Sequence, residues 1–177
     1  ELIGTRTFDK QMAYDSYGRL TTETFPSGFY TLNHYDVYGN LTEVTDGSSR
    51  SIWKASEANA RGNITKEIKG AKETVYGYDE DKAQLTSIVA SGVVDYSFGY
   101  DTKNNLANRS NNQINQKELF TYDALNRLTN WKIHDATTNT PLRTNDITYD
   151  AMGNIGTKSD LNITDAVSLK YELTTNI

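Results

Sequence analysis

The chain has no cysteine, two prolines, two histidines and no long apolar run in its 177 residues. Without cysteine there is no disulfide, no thiolate nucleophile and no Cys-ligated metal centre. No stretch approaches the ~18–20 apolar residues that a membrane-spanning helix needs. The first eight residues, ELIGTRTF, lack the layout of a signal peptide. A net charge of −5 argues against binding the phosphate backbone of a nucleic acid. The chemistry of an active site is equally scarce. His34 and His134 stand in polar stretches, no serine lies in a GxSxG context, and no glycine-rich phosphate loop is present. Asp79 and Asp81 are paired, but no series of acidic ligands with calcium-loop spacing follows them. These absences predict a protein that is not an enzyme and holds no cofactor or metal.

What the chain does have is tyrosine, threonine and asparagine, which suit half-exposed strands better than a thick helical core. Its apolar fraction is only 36%, and 12 tyrosines supply much of it. The tyrosines are not scattered. Six Tyr-Asp dipeptides occur, at Tyr14, Tyr35, Tyr78, Tyr100, Tyr122 and Tyr149, where random order would give about one. Successive steps of 21, 22 and 22 residues separate Tyr14 from Tyr35, Tyr78 from Tyr100 and Tyr100 from Tyr122. The step to Tyr149 is stretched by a polar insert, HDATTNTPLRTN, at 134–145. Between Tyr35 and Tyr78 a degenerate copy, ANARGNI, begins at Ala58 and keeps Gly62. An eighth copy starts at Tyr171. One repeat region therefore fills residues 1–177, and because the chain starts and stops inside the pattern, a longer parent is expected.

Each copy reads as a β-hairpin. In the first, Tyr14, Asp15, Gly18 and Leu20 frame a three-residue loop, a type I turn followed by one left-handed residue. Gly18 supplies that residue, since positive φ costs glycine no Cβ clash. Tyr35, Asp36, Gly39 and Leu41 repeat the frame, as do Tyr149, Asp150 and Gly153. In Tyr100, Asp101, Asn104 and Leu106, and in Tyr122, Asp123, Asn126 and Leu128, asparagine takes the left-handed place. Tyr78 and Asp79 open a copy with one extra residue and neither Gly nor Asn, so a longer loop is expected there. The aspartate should accept backbone N–H groups two or three residues on. Tyrosine and leucine fall opposite each other on one face. Return turns are expected at 25–29, 68–73, 90–93 and 111–116. Seven such hairpins give about fourteen strands, a sheet too wide to stay flat. Its terminal strands would offer unpaired edges, a route to edge-to-edge association between copies.

The phrase Tyr-Asp, two variable residues, Gly, Arg or Asn, and Leu, recurring every 20–22 residues from Met12 to Ile155 and on to Leu173, resembles the YD-repeat or Rhs-repeat family. The stretch WKASEANARGNITKE, 53–67, resembles the Trp-containing divergent repeat of bacterial toxin-complex B and C components. The resemblance implies an all-β fold in which tandem antiparallel hairpins make one curved, spiralling sheet, here an arc of a hollow shell. In bacterial members such a shell encloses a toxic C-terminal polypeptide. It thus implies a secreted or cell-surface scaffold whose partners are the rest of its own chain, or a toxin-complex subunit, and the enclosed toxin. Wall-associated bacterial proteins and teneurins share the repeat. Neither Pro26 nor Pro141 follows an aspartate, so the family's Asp-Pro self-cleavage motif is missing.

The rival reading is a surface adhesion module. Tyr17, Tyr30, Tyr38, Trp53 and Trp131 offer aromatic faces to sugars, with Tyr17, Tyr38 and Trp131 the leading glycan-facing candidates. Asn-x-Thr/Ser sequences at Asn40, Asn63, Asn108 and Asn162 are by-products of the repeat in two cases.

Overall fold

The computed structural model describes residues 2–3, 6–7 and 9–161; the copy beginning at Tyr171, Leu169 and the sequence at Asn162 lie outside them. The described residues fall into two compact units, the first ending at Val93 and the second beginning at Val94. Nearly every element is a strand, as expected from the β-branched and aromatic segments between turn residues.

The first unit opens with a short pair, β1 (Leu2–Ile3) and β2 (Arg6–Thr7), which the repeat had not suggested. An antiparallel meander follows: β3 (Gln11–Tyr14), β4 (Leu20–Thr24), β5 (Tyr30–Tyr35) and β6 (Leu41–Asp46). It continues through β7 (Ser51–Ala58), β8 (Ile64–Lys69), β9 (Lys72–Tyr78) and β10 (Leu85–Ala90). The second unit holds β11 (Val94–Tyr100), β12 (Leu106–Asn111), β13 (Gln116–Tyr122), β14 (Leu128–Asp135), β15 (Pro141–Tyr149) and β16 (Ile155–Lys158). A 3-10 turn, Ser159–Leu161, ends it. Within each unit the strands lie side by side in chain order. From β3 to β16 there are fourteen, two for each of seven repeats.

The pairing follows the hairpin frame. Tyr14 faces Leu20, Tyr35 faces Leu41, Tyr100 faces Leu106, Tyr122 faces Leu128 and Tyr149 faces Ile155. Immediately beyond, every hairpin shifts register by one residue. Ala13 pairs with Thr22, and His34 with Glu43, so Thr21 and Thr42 are extra. The extra residues in the other hairpins are Thr65, Thr86, Ala107, Thr129 and Gly156. These are β-bulges, which add local twist and bend the strand that carries them. Threonine suits the place because its hydroxyl can return to the opposite strand: Thr21, Thr42 and Thr129 Oγ1 donate to the carbonyls of Ala13, His34 and Thr121 at 3.2, 3.2 and 3.1 Å.

The polar insert at 134–145 forms the ends of β14 and β15, joined by a turn in which Asp135 N–H donates to Thr140 O at 2.9 Å. Pro141 opens β15, a position where a missing N–H breaks no ladder bond.

Neither unit has a thick core. Among the described residues Ala90 is the one buried apolar side chain, while Thr45, Asp46, Glu67 and Asn145 are the buried polar ones. Most strand residues are half-exposed on both faces. Ladder bonds and cross-strand pairs, rather than a second packed layer, hold such a sheet together.

Candidate functional site

The recurring chemistry of this chain lies in its turns and in what joins one hairpin to the next. In the first turn Asp15 N–H donates to Arg19 O at 2.9 Å, and Gly18 N–H to Asp15 O at 3.0 Å. The same two bonds frame the turns beginning at Asp36, Asn59, Asp101, Asp123 and Asp150. Gly18 has φ +77°, and Asn104 and Asn126 have +67° and +60° in its place. The Asp79 loop is one residue longer, and Ala83 takes the left-handed conformation at +58°.

The capping aspartates are engaged through both oxygens wherever an arginine or asparagine stands four residues on. Asp15 Oδ1 accepts N–H of Tyr17 and Arg19 at 2.8 and 2.9 Å, and Oδ2 accepts Arg19 Nε at 2.7 Å. The donors stand two and four residues on; three on occurs in the longer loop, where Asp79 accepts Lys82 N–H at 2.7 Å. This explains why arginine and asparagine alternate before the leucine. Both reach back to the second carboxylate oxygen, as Asn40, Asn105, Arg127 and Asn154 do at 2.9, 3.0, 2.7 and 2.9 Å. The bonds hold the carboxyls below their ordinary range. For Asp15 and Asp123 the N–H four residues on is the main cause, and for Asp36 and Asp150 the asparagine amide is. Around Asp101 burial pushes upward most strongly, yet the bonds from Asn105 outweigh it.

The tyrosines latch neighbouring hairpins. Tyr35, Tyr78, Tyr122 and Tyr149 hydroxyls donate to the carbonyls of Leu20, Ile64, Leu106 and Leu128, at 2.8, 3.2, 2.9 and 2.9 Å. Each acceptor sits at the leucine place of the preceding copy. Arg19 and Arg127 strengthen two of these joints, their guanidinium groups lying 4.7 and 4.4 Å from the rings of Tyr35 and Tyr149. Sequence reasoning places Tyr and Leu on one face but misses the hydroxyl's role. The signal lies in the constancy of tyrosine at six of the seven hairpins, where ring packing alone would admit phenylalanine.

The sugar-facing candidates separate. Tyr17 and Tyr38, 83% and 88% exposed, line one cleft of about 580 Å³ together with Arg19, Asp36 and Val37. Trp131 is not there; it lies mid-strand in β14, half-buried, opposite Phe120 and Asn145. Asp79 and Asp81 are a cap and its donor, with Asp81 N–H reaching Asp79 Oδ1 at 3.1 Å. His34 Nε2 meets Thr45 Oγ1 at 3.0 Å, and His134 Nδ1 meets Asn139 O at 3.3 Å. No cluster of three His, Cys, Asp or Glu suited to a metal occurs among the described residues.

One polar centre was not foreseen. Glu67 on β8 is 5% exposed and accepts Trp53 Nε1 and Lys69 Nζ, each at 2.6 Å, and the Tyr76 hydroxyl. Burial pushes its carboxyl up, and the bonds from Lys69, Tyr76 and Trp53 overcome that and hold it below 4.5. Burial and the adjacent carboxylate push the Tyr76 hydroxyl up to about 12.

The hairpin frame has a counterpart among known families. The sequence model of the RHS repeat matches residues 14–51, which carry the first two Tyr-Asp turns. Residues 14–51 are thus similar to an RHS repeat. The same bonds recur in later hairpins of the chain as far as Asn154. No curated protein sequence matches the chain. Among solved structures, the Photorhabdus luminescens Tc holotoxin pore with a TccC3 mutation aligns over 84% of this chain at 23% identity, with a TM-score of 0.69. A TcdB2–TccC3–Cdc42 structure aligns over 85% at 23% identity and 0.71. TcdB2–TccC3 without its hypervariable C-terminal region aligns over 85% at 22% and 0.70. This chain spans 9% of each of those chains. The likeness shows that those structures share this all-β, antiparallel fold over most of the chain's length.

Proposed function

We propose that this chain is structural: one RHS-repeat stretch in the wall of a larger β-shell that encloses a toxin or effector polypeptide of a secreted bacterial protein. The observation that carries the reading is the latch. A sheet with almost no buried apolar side chain is fastened, hairpin to hairpin, by tyrosine hydroxyls on leucine or isoleucine carbonyls. Each such bond contributes ~0.5–1.5 kcal/mol, and each Arg–Tyr stack ~0.5–1 kcal/mol where exposed. Those interactions maintain a continuous barrier without needing a second layer, which is what a container requires and what a catalyst does not. The partners on this reading are the rest of its own chain or a toxin-complex subunit, together with the enclosed polypeptide.

Protease protection tests it. In the whole parent assembly, the enclosed polypeptide should survive trypsin at concentrations that digest it when free. The triple variant Tyr35→Phe, Tyr122→Phe, Tyr149→Phe should shorten that survival. Equal digestion of free and assembled polypeptide would remove the containment reading.

A second reading, glycan binding, is favoured by the cleft that the exposed phenol rings of Tyr17 and Tyr38 line together with Arg19. A glycan array probed with the chain should then give specific hits that Tyr17→Ala and Tyr38→Ala abolish. An array without such hits leaves containment alone.

A further inference from the structure

The degenerate repeat breaks the latch. Ala58 pairs with Ile64, the register held elsewhere by the tyrosine. Tyr35, Tyr78, Tyr122 and Tyr149 each cover the carbonyl of the preceding hairpin's leucine or isoleucine. A tyrosine at 58 would by the same geometry cover Leu41. With Ala58 there, no side-chain donor reaches the Leu41 carbonyl among the described residues. In place of a ring there is a cleft of about 380 Å³, walled by Leu41, Thr42, Ala55, Ala58, Gly62 and Ile64.

A second feature marks the same spot. Besides the usual bulge at Thr65, this hairpin has one on its first strand: Ala55 pairs with Glu67 and Glu57 with Lys66, so Ser56 is extra. Ser56 lines the cleft, and its hydroxyl is turned to Lys66 O at 3.2 Å. Bulges beside clefts commonly re-aim the chain at a binding site. Here the two bulges together keep Ala58 in register with Ile64 while the first strand bows beside the opening.

We propose that this cleft is a docking site for a tyrosine side chain carried by another polypeptide. The ring is suited by the apolar part of the lining, Leu41, Ala55, Ala58 and Ile64, beside which Asn40, Thr42 and Ser56 also line the cleft. An apolar cavity of roughly 150 Å³ already takes up benzene, so the space holds one aromatic ring and the carbon that bears it. The hydroxyl is specified by the Leu41 carbonyl, whose counterparts at Leu20, Ile64, Leu106 and Leu128 each accept a phenol O–H. Anionic ligands are disfavoured, because Asp36 and Glu57 stand on the rim. A polypeptide source follows from how this chain fills the equivalent places: every such ring arrives on an extended strand. The inference does not depend on containment, since it concerns one joint and not the wall.

The test is a titration of the ¹⁵N-labelled chain followed by amide chemical shifts. N-acetyl-tyrosinamide should give saturable shifts at Leu41, Thr42, Ser56, Ala58 and Gly62. N-acetyl-phenylalaninamide, lacking the hydroxyl, should bind about five-fold more weakly, the worth of one ordinary hydrogen bond. Ala58→Tyr should abolish the shifts by filling the cleft from within, and Ala58→Leu should abolish them without supplying a hydroxyl. No saturable shift at those residues in the native chain would overturn the site. Equal binding of the two amides would overturn the role of the carbonyl. Binding of p-cresol but not of N-acetyl-tyrosinamide would overturn the polypeptide source.

Discussion

The two tryptophans sit in comparable places and meet opposite fates. Trp53 on β7 places its indole N–H on the buried Glu67 carboxylate of β8, which also gathers Lys69 and Tyr76. Trp131 on β14 lies opposite Asn145 on β15, which is 3% exposed, and the indole N–H finds no acceptor there among the described residues. Asn145 Oδ1 is taken by Arg143 Nε at 3.0 Å, while its Nδ2 has no partner. Arg143 also lies 6.0 Å from the Trp131 ring. The difference is one of acceptor capacity. A carboxylate offers about four lone-pair sites and no donor, whereas an amide adds two donors of its own. Three donors therefore saturate productively on Glu67. Around Asn145 the Arg143 guanidinium takes the amide oxygen, and the Trp131 indole N–H and the Asn145 amide NH2 are both left without an acceptor among the described residues.

Removing the hub should break the comparison most sharply. Glu67→Ala strands the Trp53, Lys69 and Tyr76 donors beside a new void, and should cost ~3 kcal/mol. Urea unfolding followed by tryptophan fluorescence reads this directly, and a loss below ~1 kcal/mol would mean that the network carries little of the first unit's stability. The acidic side sharpens it. Because the Glu67 carboxyl lies below its ordinary 4.5 in the folded chain, its contribution is present above that value and disappears as pH falls through the lowered one. The turn aspartates, held below 3.8, act in the same direction at lower pH. Glu67→Ala should therefore remove the share of the acid transition that Glu67 carries and leave the share of the turn aspartates in place.

The next effect separates the tryptophans themselves. Trp53→Phe deletes a donor that Glu67 uses and should cost ~1.5–3 kcal/mol, the range for a bond to a charged group. Trp131→Phe deletes a donor with no acceptor, so only the smaller ring's lost contacts oppose the relief. Thermal melts of the two variants should differ in that order; equal losses would show that ring packing outweighs the indole bond in both places.

What could be read from the sequence, and what could not, divides along a similar line. The hairpin frame is local. Gly18, Asn104 and Asn126 announce left-handed positions within five residues of the aspartate they serve, and the seven hairpins and their fourteen strands follow. The return turn at Asp46–Arg50 escaped because its left-handed residue is Ser49, at φ +63°, not glycine or asparagine. Its Gly47 answers a different demand, since a Cβ there would come within 2.4 Å of the Tyr30 ring. The bulges at Thr21, Thr42 and Thr129 were written in the recurring Leu-Thr, yet a bulge shows only once the partner register is known. Glu67 was the least legible. Its donors lie at separations of 14, 2 and 9 residues, and only the pairing of three successive strands brings them to one carboxylate.

A gain should follow from repairing the weaker centre. Asn145→Asp replaces the surplus amide donor with an acceptor that can serve Arg143 Nε and Trp131 Nε1 together, and should stabilise the chain by ~1 kcal/mol at neutral pH. The gain should vanish once the new carboxyl is protonated, so melts at pH 7 and pH 3 form the measurement. A loss at pH 7 would mean that burial of the new charge outweighs the attraction of Arg143.

The last expected effect lies at the alkaline end and, of the two tryptophan centres, touches that of Trp53. The Tyr76 hydroxyl is pushed from 10.0 to about 12 by burial and by Glu67, which accepts its hydrogen bond. A group whose folded value is raised stabilises the fold fully below its unfolded value, and that contribution is lost as pH rises through the folded one. The first unit should therefore lose part of its stability between pH 10 and about 12. Tyr76→Phe should remove that dependence, because phenylalanine has no proton to lose, while lowering stability at neutral pH by the single bond to Glu67. Trp131 and Asn145 carry no group that titrates in this window, so the corresponding change in the second unit, Trp131→Phe, should leave the alkaline profile unaltered. If Tyr76→Phe left the same slope between those limits, the phenol of Tyr76 would not be its source, and the bond to Glu67 would have to be weaker than its geometry implies.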